Sequence, residues 1–100
     1  MRETQASIAT WARATFGPPA SCELLVKRTV MEMDELVHAV AASRTSRERI
    51  MKEAADVLVV LYQVAAYCDH DLLDEVDRVM AVNRTRKWRL NADGTGQHVD

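Results

Sequence analysis

Two stretches, Val30-Met-Glu-Met-Asp-Glu-Leu-Val37 and Lys52-Glu-Ala-Ala-Asp-Val-Leu-Val59, each set a pair of carboxylates three residues apart inside an apolar run. That spacing constrains the chain more than any other feature. At about 100° per residue, Glu35 falls about 60° from Glu32, in the sector that also holds Leu25, Leu36 and Ala39. Asp56 lies about 60° from Glu53, among Val57, Val60 and Val64. Both pairs therefore belong to the faces that should form a core. Carboxylates on such faces need partners, because burying an unpaired charge costs several kcal/mol.

Four carboxylates brought together call for a divalent cation. An all-oxygen set without histidine or cysteine suits a hard ion, Mg²⁺ or Mn²⁺, and Mg²⁺ usually shares its octahedron with water and substrate phosphate. The alternative is a pair of ordinary i,i+4 ion pairs, Arg28 with Glu32 and Arg49 with Glu53, each worth a few tenths of a kcal/mol. Two copies of one motif on adjacent apolar faces favour the metal.

Glu32-x-x-Glu35 followed by Glu53-x-x-Asp56 eighteen positions later resembles the EExxE…ExxD signature of the MazG-like all-α nucleoside triphosphate pyrophosphohydrolases. The resemblance runs from Cys22 to Trp88. One position departs, since Met31 stands where the family has its leading Glu. The resemblance implies an all-α, MazG-like helical bundle of about four helices whose core is completed by dimerisation. It also implies a metal and catalytic set of Glu32, Glu35, Glu53 and Asp56. The activity implied is Mg²⁺-dependent (or Mn²⁺-dependent) cleavage of (d)NTP to (d)NMP and pyrophosphate, in nucleotide-pool house-cleaning. A homodimer or dimer of dimers would be the working form. Two alternatives stay open: phosphoribosyl-ATP pyrophosphatase-type activity, and a non-catalytic helical interaction module, which Met31 favours.

The chain reads as one domain over 1–100. Three Gly, two Pro and five aromatics against abundant Ala, Val, Leu, Glu and Arg favour helices over strands. The spacing predicts a first helix over 4–16, with Ile8, Trp11, Ala12 and Thr15 on one side and Gly17-Pro18-Pro19 as its stop. A second, over 22–42, is capped by Ser21. A third, over 46–67, opens on a Thr45…Glu48 capping box. Its run Val57-Leu-Val-Val-Leu-Tyr62 is apolar all round, which calls for burial on several sides. A fourth, over 72–87, is capped by Asp71 and carries the stripe Leu72, Leu73, Val76, Val79, Met80 and Asn83. Residues 89–100 read as a Gly-containing tail without periodicity.

Asn83 and Lys87, four apart on that fourth helix, would share a face able to hold a phosphate or a base edge. The block Asn83-Arg-Thr-Arg-Lys-Trp88 resembles the basic ending of the last MazG-like helix, which lies near the nucleotide in that family. Lys52, Asn83, Arg84 and Lys87 are thus candidate substrate contacts, and Trp11 is a candidate platform for a nucleobase. No P-loop occurs, so phosphates would be held by metal and basic side chains. His70, far along the chain from Asp56, is a poor candidate base. A net charge of −2 gives no reason to expect nucleic acid. Cys22 and Cys68 read as buried free thiols. With no apolar run of membrane-spanning length and no signal-peptide h-region, the expectation is a cytoplasmic protein without membrane contact.

Overall fold

In a computed structural model, described over residues 2–99, four helices follow one another: α1 (Gln5–Phe16), α2 (Cys22–Ala41), α3 (Arg47–Tyr67) and α4 (Leu72–Asn83). A two-stranded antiparallel hairpin, β1 (Lys87–Leu90) with β2 (Gly96–Val99), ends the described chain.

Each helix starts where a short polar side chain can take up a free amide of the first turn. Thr4 accepts from Ser7 in a reciprocal capping box, Ser21 from Leu24, and Asp71 from Asp74. For α3 the cap is Ser46, whose hydroxyl accepts from the Arg49 amide at 3.1 Å. This corrects the expectation of Thr45: both hydroxyls could cap, and the helix begins one residue later. Gly17, at φ 80°, closes α1 and donates its amide to the Arg13 carbonyl.

The five-residue link 42–46 folds α2 back against α3, the largest packing contact in the chain, while α1 lies on α3 from another side. On α2, Cys22, Leu25, Thr29, Glu32, Leu36 and Ala39 recur at alternating three- and four-residue steps and are all buried or half-buried. That stripe is the face turned to α3. A second stripe beside it, Val26, Val30, Met33, Val37 and Val40, is exposed along its length. The core is thin, made of Ala12, Ala39, Val57, Val60 and Ala65. Gln5 ties the α3–α4 turn to α1, donating to the His70 carbonyl and accepting from the Leu72 amide.

The third helix is central, as its apolar run implies, yet within one chain it is not buried all round. Val57 and Val60 face inward while Leu58 is exposed. α4 leans on α3 with few contacts and buries no residue, so the stripe from Leu73 to Met80 lies open. The radius of gyration, 16.2 Å, exceeds the roughly 13 Å of a compact 100-residue domain. Cys68 is exposed and Cys22 half-buried, not the two buried thiols expected. Burial, then the neighbouring Cys68 side chain, raises the Cys22 thiol above its ordinary pKa.

The end of the chain departs most from the sequence reading. α4 stops at Asn83 instead of running to 87, and Asn83 and Lys87 share no helical face. Thr85 turns its hydroxyl onto the Val82 carbonyl and the Trp88 indole N–H donates to the Asn83 carbonyl at 2.9 Å, so side chains satisfy acceptors that another helical turn would have used. The tail 89–100 is a hairpin over its described part, with Trp88 opposite His98 and Leu90 opposite Gly96. Gly94 supplies the positive φ of 90° at its turn, and Asn91 and Thr95 bond through both backbone and side chains. Asp93-Gly94 between Trp88-Arg-Leu90 and Gln97-His-Val99 was the available signal.

The Thr95 hydroxyl, and then its amide, hold the Asp93 carboxyl below its usual pKa. A folded-state pKa below the unfolded one stabilises above the unfolded value and is lost as pH falls through the folded one. The hairpin is therefore expected to loosen on acidification below pH 3.8, the ordinary value for this group. NMR of the Trp88 indole would show its resonance moving toward random coil before the helices melt, and an Asp93→Asn variant would lose that acid limb.

Candidate active site

Glu32 enters the interior stripe of α2 and Glu53 faces it from α3. One carboxylate oxygen each from Glu32, Glu35 and Glu53 lies within 4.8 Å of the others. In each pair the first residue is the buried one: the side chains of Glu32 and Glu53 are 11% and 14% exposed, whereas Asp56 is 41% exposed and Glu35 is exposed. Both pairs on apolar faces thus resolve into one inward carboxylate and one at the rim. Asp56, a turn along α3 from Glu53, stands outside the tight group but borders the same groove as Glu32 and Glu35.

Two cations stand on this set. Arg28 Nη2 lies 2.8 Å from Glu32 Oε1. Lys52 Nζ lies 3.1 Å from Asp56 Oδ2 and 3.5 Å from Glu53 Oε1, and these contacts, Asp56 first, raise the lysine pKa. The Arg28–Glu32 pair is therefore present, while Glu53 takes Lys52 in place of Arg49. Glu53 Oε2 is buried without a hydrogen-bond partner. A buried anionic oxygen left alone beside two other carboxylates is costly unless a cation completes it. Three convergent carboxylates, one of them with an orphan oxygen, fit a hard divalent ion.

The groove, about 1260 Å³, runs from the carboxylates to the C-terminal part of α1. Trp11 stands on its wall, half-exposed, in edge-to-face contact with Phe16 at 5.4 Å. The sequence stripe had placed Trp11 on the packed side of α1; Ala12 fills that role, which leaves the indole free. Asn83, Arg84 and Lys87 do not border the groove, because α4 ends at Asn83 and the chain turns into the hairpin. Arg13 and Arg28 border it instead. The i,i+4 placement of Arg28 before Glu32 was the signal for one of them; nothing in the sequence singled out Arg13. Met31 is exposed and takes no part in the carboxylate group.

The MazG nucleotide pyrophosphohydrolase domain matches residues 20–88, which include all four acidic residues. The chain belongs to the MazG family. This MazG-family chain is 31% identical, over 99 residues, to a dATP/dGTP diphosphohydrolase of Salmonella phage PMBT28. The alignment covers 97% of the chain and 31% of that phage protein, so the chain spans under a third of its relative's length. Among solved structures it is similar to a cyanophage S-2L MazG-like pyrophosphohydrolase bound to dGDP and three catalytic Mn²⁺ ions per active site. That match has a TM-score of 0.76 and 26% identity, and covers 96% of this MazG-family chain and 89% of the other.

Proposed function

We propose that residues 1–100 act as a single MazG-like domain, a divalent-metal-dependent nucleoside triphosphate pyrophosphohydrolase. Its ligand set is Glu32, Glu35, Glu53 and Asp56. The observation that carries this is the meeting of three carboxylates from α2 and α3 around a buried, unpartnered Glu53 oxygen. The Mn²⁺ ions of the cyanophage relative support divalent metal in this role, and Mg²⁺ meets the same oxygen-donor chemistry.

Ions held there supply positive charge to phosphate oxygens and acidify water. Glu32 and Glu53 fix the donor geometry, since packing between the two helices holds their side chains. Glu35 and Asp56 stand at the rim, where substrate enters. Water adds at the α-phosphorus, the bond from that phosphorus to the α–β bridging oxygen breaks, and pyrophosphate leaves with the bonding electrons. The proton given up by water passes to a carboxylate of the set. Lys52, bound to Asp56 and Glu53, ties the rim carboxylate to the inward one. Trp11 offers an exposed ring for stacking on a base.

The name of the phage relative makes purine deoxynucleoside triphosphates the first substrates to try, and removal of unwanted nucleotides the matching role. A homodimer or dimer of dimers, in the cytoplasm, is the proposed form. The exposed stripe Val26, Val30, Met33, Val37 and Val40 on α2 is a face that a second copy would cover. Asn83, Arg84 and Lys87 would reach a nucleotide only across such an interface.

The test is a panel of (d)NTPs with Mg²⁺ or Mn²⁺, assayed for pyrophosphate, with phosphoribosyl-ATP as a competitor. Metal should also raise the unfolding midpoint, since an ion at a hundred times its Kd adds about 2.7 kcal/mol to the folded state. A midpoint indifferent to metal, with no pyrophosphate from any substrate, would leave a helical interaction module.

A further inference from the structure

The carboxylates would hold the metal, and the groove that Glu32, Glu35 and Asp56 border would also receive the polyanionic substrate. Its walls carry two basic side chains, Arg13 on α1 and Arg28 on α2. Arg28 differs from Arg13 in being committed: its guanidinium holds Glu32 Oε1 at 2.8 Å. The pair is lopsided. The Glu32 side chain is 11% exposed and that of Arg28 is 56% exposed, so the acid is fixed in the helix interface while the base reaches in from the groove. Arg28 is anchored by little besides Glu32, for it makes no other ion pair among the described residues.

Glu32 is one of the three converging carboxylates, and an ion there competes with Arg28 for the same carboxylate. When Glu32 is taken, Arg28 is left one helical turn away on the groove wall with its donors free. A guanidinium presents parallel N–H groups that match two oxygens of a phosphate. We propose that Arg28 is a substrate-binding residue with two partners, holding Glu32 in the metal-free protein and phosphate oxygens of the nucleotide in the loaded one. Lys52 is a poorer candidate for this exchange, since its ammonium is divided between Asp56 and Glu53 and the residue does not border the groove.

This inference rests on the proposed metal-dependent hydrolysis and makes two predictions of opposite sign for one substitution. In Arg28→Gln, Mn²⁺ titrated calorimetrically without nucleotide should bind roughly 2- to 5-fold more tightly, because a competitor for Glu32 is gone. The same variant should show a KM for the best nucleoside triphosphate raised about 10- to 100-fold, the cost of losing charged hydrogen bonds to phosphate, with kcat changed far less. Arg28→Lys, which keeps the charge without the paired donors, should fall between the parent and Arg28→Gln in KM. Circular dichroism of the metal-free variants should match the parent, since Arg28 is on the surface.

A brace for Glu32 would behave otherwise: Mn²⁺ would bind Arg28→Gln more weakly and KM would not rise, overturning the inference. So would a variant indistinguishable from the parent in both readouts. A parent that binds no Mn²⁺ and releases no pyrophosphate would overturn the proposed function, and this inference with it. A parent that does both, beside an unchanged variant, overturns this inference alone.

Discussion

Glu53→Gln is expected to lower pyrophosphate release by roughly 10³-fold or more while leaving the helices folded. Glutamine has nearly the shape of glutamate, so the packing of α3 against α2 is kept; what goes is the negative charge facing Glu32 and Glu35. In the metal-free protein that charge is a burden, since Glu53 Oε2 is buried without a partner and Lys52 reaches only the other oxygen, at 3.5 Å. Removing it relieves repulsion among the three carboxylates, so the metal-free unfolding midpoint should stay level or rise. The upward shift on adding Mn²⁺ should shrink or vanish. A merely structural Glu53 would give the reverse, a lower midpoint and an intact metal response. Hydrolysis by Glu53→Gln at the parental rate would remove Glu53 from the site.

Ala39→Leu is expected to cost about 1–3 kcal/mol of stability and to weaken metal binding with it. Ala39 is fully buried, at 0% exposure, on the stripe of α2 that faces α3 and one turn beyond Glu35. Three added carbons have nowhere to go without pushing the helices apart. In a domain of this size that loss lowers the midpoint by roughly 4–8 °C per kcal/mol. Because Glu32 and Glu35 ride on one helix and Glu53 on the other, spreading the helices also spreads the ligands. Ala39→Gly is the control. It should cost about 1–2 kcal/mol, through helix propensity and the loss of one buried methyl, without forcing the helices apart, and so should keep more of the metal affinity. Calorimetric titration of Mn²⁺ into both variants, beside thermal melts at one protein concentration, would separate the effects. An Ala39→Leu protein as stable as the parent would mean that α2 and α3 are not held as tightly as their contact indicates.

Much of this was legible because it is local. Helix starts depend on one side chain reaching an amide three residues on, so Ser21 and Asp71 could be read directly, and Ser46 was missed by one position because Thr45 offers the same chemistry. The carboxylate pairs were legible for a similar reason, since the helical period alone carries Glu32 and Glu53 onto apolar faces. Illegible from the period was which member of each pair faces inward. That depends on where the partner helix lies, and it divides Glu32 and Glu53 from Glu35 and Asp56. The hairpin was missed because four-residue strands are too short for periodicity, and because Trp88 secures it through a bond to Asn83 that no local pattern records.

The sequence by itself determined that four helices form, that two of them carry acids on their buried sides, and that those acids suit a hard cation. Helical geometry and the cost of burying charge are enough for that. Only the tertiary structure decided that Glu32, Glu35 and Glu53 meet, that Trp11, Arg13 and Arg28 stand around the opening, and that Asn83, Arg84 and Lys87 stand away from it. Such choices rest on how three helices pack across one another, and contacts between residues far apart in the chain leave no mark in the spacing of either segment.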